Sequence, residues 1–171
     1  MNIILTGLRG SGKSKIGKLL SEKLSFKFID LDKEIEKAEN LTVKEIYTKH
    51  GWEYFRKKEK DTVKKLHGTD NSVISLGGGT IMDEESQKIL KELGTIVYLK
   101  RSPEDCNKYL SKDKNRPPLT KNKDQLAELQ EIYAEREPTY EKTADYIIKR
   151  TDDLEKDAKR VITAFQDSCV I

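Results

Sequence analysis

The feature that most restricts this chain is a short stretch near its start, Gly7-Leu8-Arg9-Gly10-Ser11-Gly12-Lys13-Ser14, which matches G-x-x-x-x-G-K-[ST] at every fixed position. Before it stands an apolar run, Ile3-Ile4-Leu5, too short for a signal peptide or a membrane span and suited to a buried strand. After it, Ile16, Leu19, Leu20 and Leu24 share one helical face over 13–24. A strand that turns through glycines into a helix aims backbone N–H groups and a positive helix end at one place, which suits phosphate oxygens. Lys13 then reaches toward the β- and γ-phosphates, and the Ser14 hydroxyl can ligate Mg²⁺. The stretch predicts a nucleotide site and leaves the acceptor of the phosphate open.

The rest of the chain alternates short apolar runs with longer helical patterns. Strands are expected over 26–30, 72–76, 95–99 and 144–148, with helices over 33–38, 42–50, 52–67, 83–93, from Pro103, over 124–137 and over 152–165. Pro138 is expected to end or kink the helix before it. This alternation predicts an α/β fold, a P-loop three-layer sandwich whose central parallel sheet of about five strands carries helices on both faces. With 171 residues the chain suits one domain, 1–171. In such folds ligands bind beyond the carboxyl ends of the strands. The stretch over 111–123 is polar, basic and proline-containing, without apolar periodicity, and is read as a loop either functional or disordered.

Lys and Arg number 33 against 30 Asp and Glu, a formal net charge of +3 with the two signs interleaved, so no basic stripe for nucleic acid is expected. No apolar run approaches membrane-spanning length. Cys106 and Cys169 lie far apart, without metal-ligand spacing, and a disulfide framework is not expected. A cytoplasmic monomer is the expectation.

Asp30 and Asp32 stand where the second apolar run gives way to a charged helix. In an extended segment residues i and i+2 point the same way, so both carboxylates would face the cleft above the sheet. One can hold a water on Mg²⁺ and the other accept a hydroxyl proton. The alternative also stands: Asp32 caps the next helix and Asp30 is solvated. Gly77-Gly78-Gly79 follows the third strand, either as a plain turn or as backbone that a ligand approaches closely. That strand ends without the Asp that often helps hold Mg²⁺ in P-loop proteins, and Ser75 is near its place. Arg56 and Arg136 offer planar forks for a carboxylate or phosphate, and Arg116 lies in the basic loop, where closure would bring it to the transferring phosphate. Two arginines with a glycine-rich backbone suit an anionic acceptor, and the aspartates suit one carrying hydroxyls.

Taken together these residues resemble the shikimate kinase family, P-loop relatives of the nucleoside monophosphate kinases. GLRGSGKSKIGKLL is similar to the family's phosphate loop, FIDLDKEIE to its paired aspartates, EYFRKKE to its acceptor-binding arginine, ISLGGG to its strand and glycines, NRPPL to its lid and YAEREPTY to its second acceptor-binding arginine. The resemblance implies ATP-dependent phosphorylation of the 3-hydroxyl of shikimate, a step toward chorismate and the aromatic amino acids. It implies that Gly10 to Lys15 contact ATP, that Ser14 ligates Mg²⁺, and that Asp30 helps through the metal's water. Asp32 would bind the acceptor and act as base. Arg56 and Arg136 would grip the shikimate carboxylate beside Gly77, Gly78 and Gly79. Arg116 would close over the phosphates, with 31–68 as the acceptor-binding helical region and 111–123 as a mobile lid.

Some positions depart from the family pattern. Pro118 follows Pro117 in the lid, Lys15 stands where a small hydroxyl residue is common, and Lys112 and Lys114 are the only cations before Arg116 where the family often has an arginine near the adenine. A gluconate-type kinase is the nearest rival, but its second-strand motif usually carries a histidine after the aspartates, and Lys33-Glu34-Ile35-Glu36 has none. A catalytically silent ATP-binding module is the rival of another class, separable by acceptor-dependent turnover.

Overall fold

Every residue of strand β1 (Asn2–Thr6) is buried, and its side chains feed two cores at once. The computed structural model describes residues 1–110, 117–121 and 124–168. β1 pairs in parallel with β3 (Ser72–Ser75) on one side and β4 (Gly94–Lys100) on the other; β2 (Lys27–Asp30) and β5 (Tyr146–Lys149) form the edges, giving the order β2-β3-β1-β4-β5. All four pairings are parallel. Because side chains alternate across a strand, Ile3 and Leu5 point to one face and Ile4 to the other. The first face packs on α1 (Lys13–Leu24) and α7 (Leu154–Ser168) through Ile16, Leu20, Val161 and Phe165. The second packs on α3 (Val43–Lys64), α4 (Glu84–Leu93) and α6 (Gln125–Thr143) through Val63, Leu90 and Tyr140. The sheet is thus covered on both faces, as a parallel sheet requires, and the three-layer α/β reading holds.

Two smaller clusters stand apart from these cores. Ile35 of α2 (Leu31–Glu39) meets Ile46 and Phe55 of α3, and Cys106 and Leu110 of α5 (Pro103–Leu110) meet Leu8, Leu129 and Ile132. The first cluster joins the helices that carry Asp32 and Arg56, and the second sets α5 and α6 beside the P-loop. Burial pushes the Cys106 thiol up to about 11, so it remains protonated packing material.

The sequence spacing of the helices is largely followed. The break expected between 42–50 and 52–67 is there, because Gly51 takes φ 77°, ψ 177° and turns α3 in two. Thr42 and Glu45 form a reciprocal capping box at its start.

Two expectations are corrected. α6 does not stop at Pro138 but continues to Thr143. The proline deprives that helix of one N–H bond, yet a tertiary contact holds the turn beyond it: Tyr140 is fully buried against Tyr98, ring centroids 5.1 Å apart. The second correction concerns Asp30 and Asp32. Helix α2 begins at Leu31, so Asp32 lies in its first turn rather than in an extended segment. The cap is Asp30, which has extended backbone (φ −102°, ψ 113°) and accepts from Lys33 N–H at 3.4 Å. The capping alternative was right in kind and named the wrong aspartate.

Candidate active site

A cleft of about 490 Å³ opens at the carboxyl ends of the strands, where the sheet order reverses around β1. Its floor is the loop between β1 and α1. Gly12 caps α1 with φ 91°, a left-handed conformation that a residue with a β-carbon adopts only at a cost, which is why the motif requires glycine there. Lys13 is buried and donates to the carbonyls of Gly7 (2.8 Å) and Leu8 (3.0 Å), so its ammonium is held against the loop it serves. Lys15 reaches the rim, with Nζ 5.7 Å from the centre of the Tyr109 ring.

Ser14 and Asp30 meet directly, since Ser14 Oγ donates to Asp30 Oδ2 at 2.7 Å. The register that pairs Asp30 with Ser75 and Leu5 with Ser75 brings Ser75 to the same end of the sheet, the place the sequence pattern marked for a missing Asp. Mg²⁺ takes hard oxygen ligands and usually keeps several waters while binding one or two protein oxygens and substrate phosphates. A hydroxyl and a carboxylate in contact beside a phosphate loop are a donor set of that kind.

The opposite wall is built around the three glycines, and here close approach explains them. A β-carbon on Gly77 would fall 2.8 Å from Asp32 Oδ1 and 2.4 Å from Glu59 Oε1. One on Gly79 would fall 2.5 Å from both terminal nitrogens of Arg56. A β-carbon on Gly78 would fall 3.5 Å from Arg9 N and 3.6 Å from the Gly7 carbonyl of the phosphate loop, and 3.8 Å from Arg136 Nη1. The glycine run is therefore the surface on which Asp32, Arg56 and Arg136 converge, although they come from α2, α3 and α6. The run is a turn, with Thr80 N–H donating to the Gly77 carbonyl at 3.2 Å, and the same distances leave no room for a β-carbon at Gly77 or Gly79 without moving these side chains.

Each cation on this wall is supported. Arg56 donates to Glu59, a buried carboxylate three residues on that also accepts from Thr80 Oγ1. Its guanidinium lies 5.3 Å from the centre of the Trp52 ring and 5.6 Å from that of Phe55. Arg136 has a buried Nε without a hydrogen bond among the described residues. Tyr140, one helical turn beyond Arg136, donates its hydroxyl to the Gly78 carbonyl. Burial pushes that phenol up to about 12, so it stays a donor at neutral pH.

Arg116 falls outside the described residues. The chain just after it is described and anchored: Arg9 Nη1 donates to Pro117 O at 3.3 Å, Trp52 Nε1 donates to Pro118 O at 2.9 Å, and Glu128 accepts from Thr120 N–H at 2.9 Å. The base of the expected lid thus touches both the P-loop and the helix that carries Arg56.

Glu59, Tyr140, Trp52 and Arg9 were not singled out from the sequence. Glu59 sits in a run of charges, KKEKD, where nothing in composition separates it from solvated neighbours. The available signal was spacing: Glu59 follows Arg56 by three residues and Tyr140 follows Arg136 by four, the separations that share a helix face.

A family model described as shikimate kinase matches residues 9–166. The chain is 42% identical over 165 residues to a shikimate kinase of Caldanaerobacter subterraneus subsp. tengcongensis, a match covering 96% of this chain and 95% of that one. In three dimensions it is similar to a shikimate kinase from Acinetobacter baumannii in complex with shikimate, with a TM-score of 0.92 and 31% identity over 98% of this chain and 93% of that one. A gluconokinase from Sinorhizobium meliloti 1021 is 14% identical, with a TM-score of 0.57 over 98% of this chain and 92% of that one, a likeness of fold alone.

Proposed function

The chain belongs to the shikimate kinase family, and from that premise we propose how its own residues perform the reaction. It is a phosphotransferase that moves the γ-phosphoryl group of ATP to the 3-hydroxyl of shikimate. The observation that carries the residue assignments is the convergence of Asp32, Arg56 and Arg136 on one run of glycines that abuts the phosphate loop in a single cleft.

In this reading the backbone from Gly10 to Lys15 cradles the ATP phosphates and Lys13 neutralises charge on the β- and γ-oxygens. Ser14 and, through water, Asp30 would hold Mg²⁺, which would supply further charge neutralisation to the phosphates. Arg56 and Arg136 bind the acceptor carboxylate through paired, charge-assisted hydrogen bonds, and Gly77 to Gly79 allow the ring to lie against backbone. That orientation leaves a hydroxyl beside Asp32, which accepts its proton as the oxygen attacks phosphorus and the bond to the leaving ADP oxygen breaks. Arg116 supplies a further positive charge from the lid. Phosphoryl transfer asks little covalent chemistry of the protein, so positioning and charge carry the rate.

No helix among the described residues is long and apolar enough to cross a membrane. We infer a cytoplasmic step toward chorismate and the aromatic amino acids.

The test is a coupled assay of ADP release with ATP and Mg²⁺, run separately with shikimate, gluconate and a nucleoside monophosphate. Turnover is expected with shikimate alone. Turnover on gluconate, or none on any acceptor despite tight ATP binding, overturns the reading of the acceptor wall.

A further inference from the structure

Arg150, just after β5, and Asp157, on α7, form an ion pair at 2.8 Å whose side chains are 5% and 0% exposed. Neither residue belongs to the phosphate-loop motif or to the acceptor wall. The guanidinium nevertheless touches the loop. Its Nε donates to the carbonyl of Ser11 at 3.0 Å, and its Nη2 lies 3.1 Å from where a β-carbon on Gly12 would sit. Its backbone N–H donates to the Lys100 carbonyl at 2.8 Å, which ties Arg150 to the end of β4.

Asp157 is itself held on several sides. Oδ2 accepts from Thr151 N–H at 2.8 Å as well as from Arg150, and Oδ1 accepts from Thr151 Oγ1 at 3.1 Å and from Arg160 Nη1 at 3.5 Å. A carboxylate so fully bonded fixes the plane of the guanidinium that binds it. Burying such a pair contributes little net stability, because the loss of hydration offsets much of the attraction. Its distinctive product here is position. The Ser11 carbonyl and the Gly12 N–H belong to one planar trans peptide and point opposite ways, so a group that holds the carbonyl also sets the direction of the N–H.

We propose that Arg150, oriented by Asp157, is a positioning residue for the nucleotide: by holding the Ser11 carbonyl it fixes the peptide that presents the Gly12 N–H to the phosphates. The last helix of the chain thereby acts on the first loop. The proposal rests on the reading of Gly7 to Ser14 as the nucleotide site and is independent of which acceptor is used.

The test is titration of ADP with Mg²⁺ by calorimetry, without acceptor, on two variants. Arg150→Lys keeps a charge for Asp157 but loses the fork. The double variant Arg150→Met/Asp157→Leu removes both charges and leaves no buried charge unpaired, at the cost of the bonds from Thr151, and its melting temperature is measured alongside. In both, ADP affinity is expected to fall about tenfold, the size of one charge-assisted hydrogen bond. In the kinase assay the ATP KM should rise with it, while the acceptor KM and the kcat at saturating ATP change little. A double variant that melts at or above the parent temperature and still binds ADP normally overturns the proposal, since the pair is then only a staple. An acceptor KM that rises as much as the ATP KM overturns it as well. A parent chain that binds no ADP overturns both the proposal and the nucleotide site beneath it.

Discussion

The two walls of the cleft are built in opposite ways. The phosphate side is one uninterrupted segment, Gly7 to Ser14, whose donors are mostly backbone N–H groups and whose shape depends on glycines in the left-handed region, Gly10 at φ 81° and Gly12 at φ 91°. The acceptor side draws Asp32, Arg56 with Glu59, the three glycines, and Arg136 with Tyr140 from four separate segments. In the proposed reaction the side chains there carry the chemistry and the backbone makes room. A site of the first kind is sensitive to the local chain path, and one of the second kind is sensitive to each supporting contact.

Substitutions on the acceptor wall should therefore damage acceptor use while sparing ATP, and the graded effects test how separate the walls are. The largest is expected for Asp32→Asn. Loss of a positioned base lowers kcat by roughly 10²–10⁴-fold, while ATP binding by calorimetry persists. A kcat near that of the parent would remove Asp32 from the proton transfer.

Arg136→Ala should raise the acceptor KM by ~1.5–3 kcal/mol, the range for hydrogen bonds to a charged group, with the ATP KM unmoved. Steady-state kinetics varied in each substrate separates the two. Parallel rises in both constants would mean that the walls are coupled through α6.

Gly79→Ala places a carbon 2.5 Å from both Arg56 terminal nitrogens. The arginine end is flexible, so it shifts and the fold survives. The melting temperature should hardly change and the acceptor KM should rise roughly tenfold, since small displacements of a positioning group are costly. An unchanged acceptor KM would show that Arg56 grips nothing from its present place. Tyr140→Phe is the mildest change. It deprives the Gly78 carbonyl of one donor, worth about 0.5–1.5 kcal/mol, and should raise the acceptor KM a few-fold. A loss of melting temperature with no change in KM would make the hydroxyl purely structural.

The contrast also explains what could be read before the fold was known. The strands, the helices and the P-loop follow from local rules, since hydrophobic period, glycine and caps act within a few residues. Gly51 broke its helix where the pattern indicated. Asp30 and Asp32 were legible as a pair facing the cleft, but the assumed extended geometry was wrong. The boundary between strand and helix passes between them, so one became a cap bonded to Ser14 and the other a first-turn residue beside Gly77. Pro138 shows the opposite failure, where a strong local signal yielded to the packing of Tyr140 on Tyr98.

By itself, then, the sequence determined the α/β class and the phosphate loop, and it marked the residues proposed for an anionic, hydroxylated acceptor, because those readings depend on contiguous backbone geometry and on side-chain chemistry. Only the tertiary structure decided which residues hold the others in place. Glu59 beneath Arg56, Tyr140 on Gly78, and Arg150 with Asp157 behind Ser11 are each a buried contact across segments or a choice among many similar charges. Long-range burial distinguishes a positioned ion from a solvated one, and that distinction has no local signature in the chain.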